Sequence, residues 1–225
     1  MKIESPVLRG KHVRLEPLEQ RHAAGLTAAS AIDRTEKDPP TTDPPTKDSS
    51  LYRWSPVPQG LVEATAYIDT ALAWQDAGTA VSYATVRETD GTVLGSTRFF
   101  NIERWAWPQD HPRHNREFPD ACEIGYTWLS GKAIRTPANT EAKFLMLAHA
   151  FEKWQTLRIC LHADARNQRS RTAIERIGAK FEGILRSHRM AADYIARDSA
   201  RYSIVAAEWP KIKQNLIHRL DQPQS

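Results

Sequence analysis

Between Asp120 and Lys180 the spacing of apolar residues changes repeatedly, and the rest of the chain has to accommodate that stretch. Ile124, Tyr126 and Trp128 alternate with Gly125 and Thr127, the period of a strand. After a loop, Asn139-Thr140-Glu141 opens a run that sets Phe144, Leu147, Ala148 and Phe151 on one helical face, with Asn139-Thr140 as its cap. A second strand and a second helix follow, the helix opened by Asn167 with Ser170 three residues on. A helix start aimed out of a strand–loop junction presents N–H groups without intrahelical partners, and the macrodipole favours negative charge there. The stretch therefore predicts a docking place for a phosphate-bearing ligand.

The remaining elements are arranged around it. His12 to Leu18 alternates apolar and polar residues, a first strand stopped by Pro17, and alanine-rich Glu19 to Ser30 reads as a helix. Residues 33–59 hold six prolines and few apolar residues, with Leu51, Tyr52 and Trp54 as anchors. Proline supplies no N–H and blocks helix interiors, so an irregular loop is expected, long enough to be a lid or disordered. Leu61 to Gly78 returns to helical order. Two β-patterned runs then flank Thr89-Asp90-Gly91, a hairpin signal, before a second irregular loop at 103–119. Lys180 to Met190 and Arg201 to Ala206 read as strands, and Glu208 to Leu220 as a closing helix with Pro210 near its start. This order predicts an α+β fold with a single mixed, mostly antiparallel sheet of about seven strands flanked by helices. It is expected to form one domain over residues 1–220, with 33–59 as an insertion and 221–225 as a frayed tail.

A net charge of +4 is too mild to argue for nucleic acid, and Arg166, Arg169, Arg171 and Arg176 fall in one short segment. A local anion pocket fits better than a basic surface. Cys122 and Cys160 lie in apolar strand-like runs and read as small buried residues, with no disulfide framework or zinc spacing. His111 and His114 lack a third ligand, so no metal is expected. No stretch approaches membrane-spanning length, which points to a cytoplasmic protein without membrane contacts.

Four pieces of the chain carry a resemblance: LRGKHVRLEPLE, EIGYTWL, NTEAK and NQRSRTAIERIGAKFEG. Together, over roughly residues 7–210, the sequence resembles the GNAT superfamily of acetyl-CoA-dependent N-acetyltransferases. Within it, the chain is similar to the bacterial enzymes that acetylate ribosomal-protein N-termini. One segment departs from the pattern: Ile134-Arg135-Thr136-Pro137-Ala138-Asn139 lacks both glycines usual in the superfamily's phosphate loop. Glycine lets backbone approach phosphate closely; here Arg135 would supply charge and Thr136 a hydroxyl donor instead.

The resemblance implies acetyl-CoA as donor and a primary amine as acceptor, a protein N-terminus or a small amine, attacking directly in a ternary complex. It implies that the pantetheine arm lies along Tyr126 to Leu129, with an N–H near Trp128 or Leu129 on the acetyl carbonyl. The pyrophosphate would meet the N–H groups of Arg135, Thr136, Ala138, Asn139 and Thr140. Asn167 would contact the pantetheine, Ser170 would protonate the departing sulfur, and Arg171 would reach the nucleotide phosphates. Asn167 and Ser170 also make sense as a helix cap alone, and Arg171 as part of a solvated helix face. Glu123 is the first candidate for general base, since burial would raise its pKa toward a useful range. His188 is the second, because histidine titrates near neutrality. Two other readings stand beside this one: a GNAT-fold acyl-CoA or nucleotide-binding protein without efficient transfer, and an antibiotic- or polyamine-modifying acetyltransferase. An exposed final strand would also offer a surface for a homodimer.

Overall fold

The computed structural model describes residues 3–31, 54–55, 57–191 and 194–222. Most of the proline-rich segment 33–59, with Leu51 and Tyr52, and the tail residues 223–225 lie outside the described residues. Eight strands form one sheet: β1 (Leu8–Arg9), β2 (Val13–Pro17), β3 (Ala80–Arg87), β4 (Val93–Glu103), β5 (Ala121–Leu129), β6 (Arg158–Asp164), β7 (Lys180–Met190) and β8 (Ala196–Val205). Their order across the sheet is β1-β2-β3-β4-β5-β6-β8-β7, and among the described residues only the β5–β6 pair is parallel. The expected α+β sheet is present, with one strand more than the seven expected. Leu8–Arg9 is too short to show a periodicity, and β8 starts at Ala196, earlier than expected.

Helices cover both faces. On one side, α1 (Ala23–Ala31) and α2 (Gly60–Asp76) bury Leu26, Ala64, Ile68 and Ala71 against Ala84, Val86 and Trp128. On the other, α3 (Ala138–Ala148) and α5 (Trp209–Asp221) join a larger core with Leu15, Val81, Phe99, Ile124, Ile159 and Ile204. A short helix α4 (Gln168–Arg176) adds Ile174 to that core. Each fully buried large apolar side chain contributes roughly 1.5–3 kcal/mol, so these two layers hold the sheet firmly enough to carry a site on it.

The hairpin at Asp90-Gly91 forms, but through a wider loop than a two-residue turn. Arg87 N–H donates to the Thr92 carbonyl at 2.8 Å, and Asp90 Oδ1 accepts the Thr92 N–H at 2.9 Å. Gly91 takes φ +72°, a conformation that glycine adopts without a Cβ penalty. Trp107 and His111 of the 103–119 loop stack at 4.1 Å. Cys122 and Cys160 are free and buried, as read from the sequence. Among the described residues no helix is long and apolar enough to cross a membrane.

Two local expectations are corrected. Helix α3 starts at Ala138, with Pro137 in the cap position, so Asn139 and Thr140 lie inside the first turn rather than capping it. Its buried face is Ala138, Glu141, Ala142, Lys143, Met146 and Leu147, whereas Phe144 and Ala148 are only half-buried. Two ionisable side chains, Glu141 and Lys143, join the apolar residues on that face. The strict alternation along β5 also fails. Pairing with β4 slips between Ser96 and Arg98, and Tyr126 takes φ +49°. This β-bulge sends Ile124 into the α3-side core while Tyr126 and Trp128 turn toward α2.

Candidate active site

β5 and β6 pair at Ala121–Arg158, Cys122–Ile159 and Glu123–Cys160, and no further. Both strands continue, to Leu129 and Asp164, so they part beyond Glu123 and leave a wedge in the sheet. The bulge of β5 lies on one wall of that wedge. A non-glycine residue in the left-handed region costs roughly 1–2 kcal/mol, and such strain gathers at functional sites. At Gly95, opposite the far end of β5, an added Cβ would stand 2.0 Å from the Trp128 carbonyl oxygen, so the two strands meet too closely for any side chain.

The loop after β5 leads to the start of α3. Gly131–Ala133 forms a short 3-10 turn, and Thr136 Oγ1 donates to the Ala133 carbonyl at 2.7 Å while accepting the Ala138 N–H at 3.3 Å. The first α-helical bond runs from Glu141 N–H to the Pro137 carbonyl at 2.9 Å. The N–H groups of Asn139 and Thr140 precede it and have no intrahelical acceptor. Arg135 is exposed and holds φ +61°. The backbone bend that glycine would supply is therefore made here by an arginine. These N–H groups and one guanidinium suit a pyrophosphate, and the wedge behind them suits an extended arm.

Two buried charged residues of α3 have different surroundings. Glu141 accepts three backbone N–H bonds, from Lys11 at 2.8 Å and from His12 and Val13 at 2.6 Å. It ties α3 to the β1–β2 turn. Lys143, 5% exposed, reaches hydroxyls alone among the described residues: Thr127 Oγ1 at 2.5 Å and Thr97 Oγ1 at 3.0 Å.

Glu123 lies where β5 and β6 part and is 4% exposed. Its Oε1 is 2.8 Å from His162 Nδ1. Its Oε2 accepts from Arg189 at 3.0 Å and from Asn101 Nδ2 at 2.9 Å. Burial by itself would raise this carboxyl, but His162, Arg189 and Asn101 outweigh it and hold the pKa below the ordinary glutamate value. The expected upward shift is thereby reversed. Glu123 is a fixed anion.

His188 reaches the same cluster because β7 is bulged. Ser187 takes φ +46°, its N–H donates to Asp198 Oδ1 at 2.8 Å, and the pairing with β8 skips between Leu185 and Arg189. The rings of His162 and His188 are 5.0 Å apart. Burial, then the neighbouring charge of Arg189, lowers the His188 pKa, so the imidazole is neutral at pH 7.

On the α2 side of the bulge, Arg98 is 1% exposed. Its guanidinium lies 4.4 Å from the Tyr126 ring, 4.9 Å from Tyr67 and 5.2 Å from Trp74. Among the described residues it makes no ion pair, and cation–π contact takes the place of a carboxylate.

The structure thus brings Glu123 and His188 together through His162, and sets Tyr126, Trp128 and Leu129 along the wedge beside the α3 start. Asn167 caps α4: its Oδ1 accepts the Ser170 N–H at 3.1 Å. Arg171 is engaged within the fold, with Tyr202 Oη at 3.0 Å and the Ala165 carbonyl at 3.3 Å. Among the described residues no group of three His, Cys, Asp or Glu side chains is placed to hold a metal. Sequence reasoning missed Asn101, His162, Arg189, Arg98 and Lys143. Only His162, a polar residue inside the strand Arg158–Asp164, carried a local signal.

The model of the acetyltransferase (GNAT) domain family matches residues 12–180. Among solved structures, a GCN5-related N-acetyltransferase from Brucella melitensis is 28% identical, with a TM-score of 0.77 over 98% of this chain and 87% of its own. A protein assigned as an acetyltransferase from T. thermophilus is 29% identical, with a TM-score of 0.69 over 98% of this chain and 100% of its own. RimJ from Mycobacterium smegmatis, in complex with CoA-disulfide, shares the fold at 21% identity, with a TM-score of 0.68 over 95% and 91% of the two chains. No curated protein matches the sequence at comparable significance. With a family match over most of the chain, a mixed sheet split beside β5 and a helix start with open N–H groups next to it, the protein belongs to the GNAT acetyltransferases and takes acetyl-CoA as its donor.

Proposed function

We propose that the acceptor is a primary amine, on a protein N-terminus or a small molecule, and that it attacks directly with both substrates bound. The observation that carries this reading is the cluster of Glu123, His162, His188, Arg189 and Asn101 at the point where β5 and β6 separate. An alkylammonium must lose a proton before it can attack, and a neutral imidazole beside a fixed carboxylate is suited to take it. Glu123 is the better anchor and His188 the better first acceptor of that proton, because the Glu123 oxygens already hold three partners. Glu123 then offsets the charge that forms on the imidazole pair.

Acetyl-CoA supplies an acetyl group activated as a thioester. Asn139, Thr140 and Arg135 are positioned to bind its pyrophosphate, with N–H groups of Arg135, Thr136 and Ala138 beside them, and Tyr126 to Leu129 to receive the arm. Asn167 and Arg171, at the start of α4 after β6, are candidate contacts for the cofactor, and Ser170 is the candidate proton donor to the departing sulfur. Cys122 is not set up as a nucleophile, because burial pushes its thiol well above its ordinary value. That favours direct attack over a covalent enzyme intermediate.

The test mixes protein and acetyl-CoA with a panel of peptides bearing free N-termini, polyamines and aminoglycosides, and follows free thiol. Acceleration by peptides or simple amines supports the reading. No amine raising the rate above that in water would overturn it, and a preference for polyamines or aminoglycosides would replace it with the modifying-enzyme alternative. Glu123→Gln and His188→Gln should each lower turnover while the acetyl-CoA-induced rise in Tm persists.

A further inference from the structure

Lys143 is a buried cation-bearing side chain that the acetyl-transfer chemistry described above does not use. It leaves the middle of α3, whose first turn is proposed to meet pyrophosphate, and reaches Thr97 of β4 and Thr127 of β5. Its Nζ, Thr97 Oγ1 and Thr127 Oγ1 form a closed triangle with edges of 3.0, 2.5 and 2.8 Å. With Thr97 donating its single hydroxyl proton to Thr127, Thr127 Oγ1 is free to donate onward to the Gly125 carbonyl at 3.4 Å, and Met146 Sδ lies 3.6 Å from Thr97 Oγ1 as a contact. Gly125 and Thr127 are the residues on either side of Tyr126, whose φ of +49° makes the bulge. The chain of polar contacts therefore runs from the cofactor helix to the backbone that forms the wall of the wedge.

Among the described residues no charged side chain accounts for this lysine. β4 offers Thr97, β5 offers Thr127, and β2 offers the apolar Val13 and Leu15. Tyr83 of β3 pairs with Thr97 across the sheet, and burial keeps its hydroxyl protonated. Glu141 on the same helix directs its oxygens to the β1–β2 turn, and Lys213 of α5 pairs with Glu152. A buried amine without a counter-ion destabilises a fold, and an apolar residue of the same length would serve a core better. A destabilising group that links two halves of one site, through hydrogen bonds aimed at a strained residue, points to function rather than packing.

We propose that Lys143 is a positioning residue for acetyl transfer: through Thr127 and Thr97 it locks the β5 bulge to α3, so that the pyrophosphate-binding helix and the thioester-facing strand are held in one geometry. The inference rests on the wedge beside β5 being the donor site, and not on the identity of the acceptor. Burial lowers the Lys143 pKa to about 7, so the lock also responds to pH near neutrality.

The experiment compares wild type with Lys143→Met, Thr127→Val and Thr127→Ser, following thiol release from acetyl-CoA both in water alone and with an accepted amine. Lys143→Met and Thr127→Val are expected to lose about ten-fold in kcat in both conditions with KM for acetyl-CoA little changed, and Thr127→Ser to restore the rate. Over the same variants, Lys143→Met should melt no lower than wild type at pH 7. A Lys143→Met enzyme at the wild-type rate overturns the proposal. So does a rate loss that follows a matching fall in Tm, because that is the behaviour of a purely structural lysine. If no amine accelerates the wild type, the primary-amine reading fails on its own, and release in water still decides for or against Lys143.

Discussion

Glu123 and Lys143 are nearly equally buried, one on each face of β5, but Glu123 stays ionised at neutral pH whereas Lys143 titrates there. Glu123 has His162, Arg189 and Asn101 around it, and these overcome the cost of burial so that the carboxylate stays ionised. Lys143 has two hydroxyls and, among the described residues, no counter-charge, and burial alone brings its pKa to about 7. What decides the state of a buried ionisable group is therefore the set of partners the fold supplies, with burial setting only the size of the penalty they must offset. The same contrast sorts their proposed roles: a fixed anion for the acceptor, and a titrating strut behind the donor strand.

The largest expected effect comes from breaking the Glu123 side. Glu123→Gln should lower kcat by roughly 10²-fold or more, read as thiol release under saturating substrates. It also removes the counter-charge beside Arg189, so Tm should fall at pH 7. The native pKa is lowered, so the stability Glu123 contributes is present above its unfolded value of 4.5 and is lost as pH falls through the native one. The Tm gap between Glu123→Gln and wild type should accordingly close in acid. A gap that persists unchanged at about pH 3, below the usual carboxylate range, would mean that the carboxylate charge is not what stabilises the cluster.

Glu141 offers a second comparison, as an anion two residues from Lys143 whose partners are all backbone. Glu141→Ala strands the N–H groups of Lys11, His12 and Val13 and should cost about 2–4 kcal/mol, measured by denaturant unfolding. Lys143→Met should move stability the other way. The unfolded lysine takes up its proton below 10.5 and the folded one only below about 7, so wild type gains stability as pH rises through that window. The advantage of Lys143→Met should be greatest below pH 7 and shrink toward pH 10; a pH-independent difference would contradict the burial of an uncompensated amine.

The smallest effect is expected at Arg135. Arg135→Gly removes a side chain from φ +61° and should stabilise by about 1 kcal/mol or less, seen as a rise in Tm. It should weaken acetyl-CoA binding at the same time, read by calorimetry, if its guanidinium meets phosphate. Higher stability with unchanged affinity would restrict its role to the bend.

Much of this molecule was legible in the sequence, and the reason is periodicity. The strand at 121–129, the α3 and α4 helices, the Asn167 cap and the 180–190 strand each leave a local pattern, because backbone hydrogen bonding and one-sided burial repeat every two or 3.6 residues. The missing glycines were visible too, and the left-handed Arg135 shows how the loop keeps its bend without them. Where local pattern misled, a bulge was responsible. Tyr126 and Ser187 each break the alternation, and those two residues decide that Tyr126 faces Arg98 and that His188 faces His162.

The sequence by itself determined most of the elements, their order and the family, and it marked the helix start proposed for phosphate, since each follows from short-range spacing and local backbone chemistry. Only the tertiary structure decided the ionisation of the site. Asn101, Glu123, His162 and Arg189 come from four strands, and Lys143 meets Thr97 and Thr127 across three elements. Coulomb energy and desolvation depend on distances through space, and those distances exist only once the sheet has closed around its wedge.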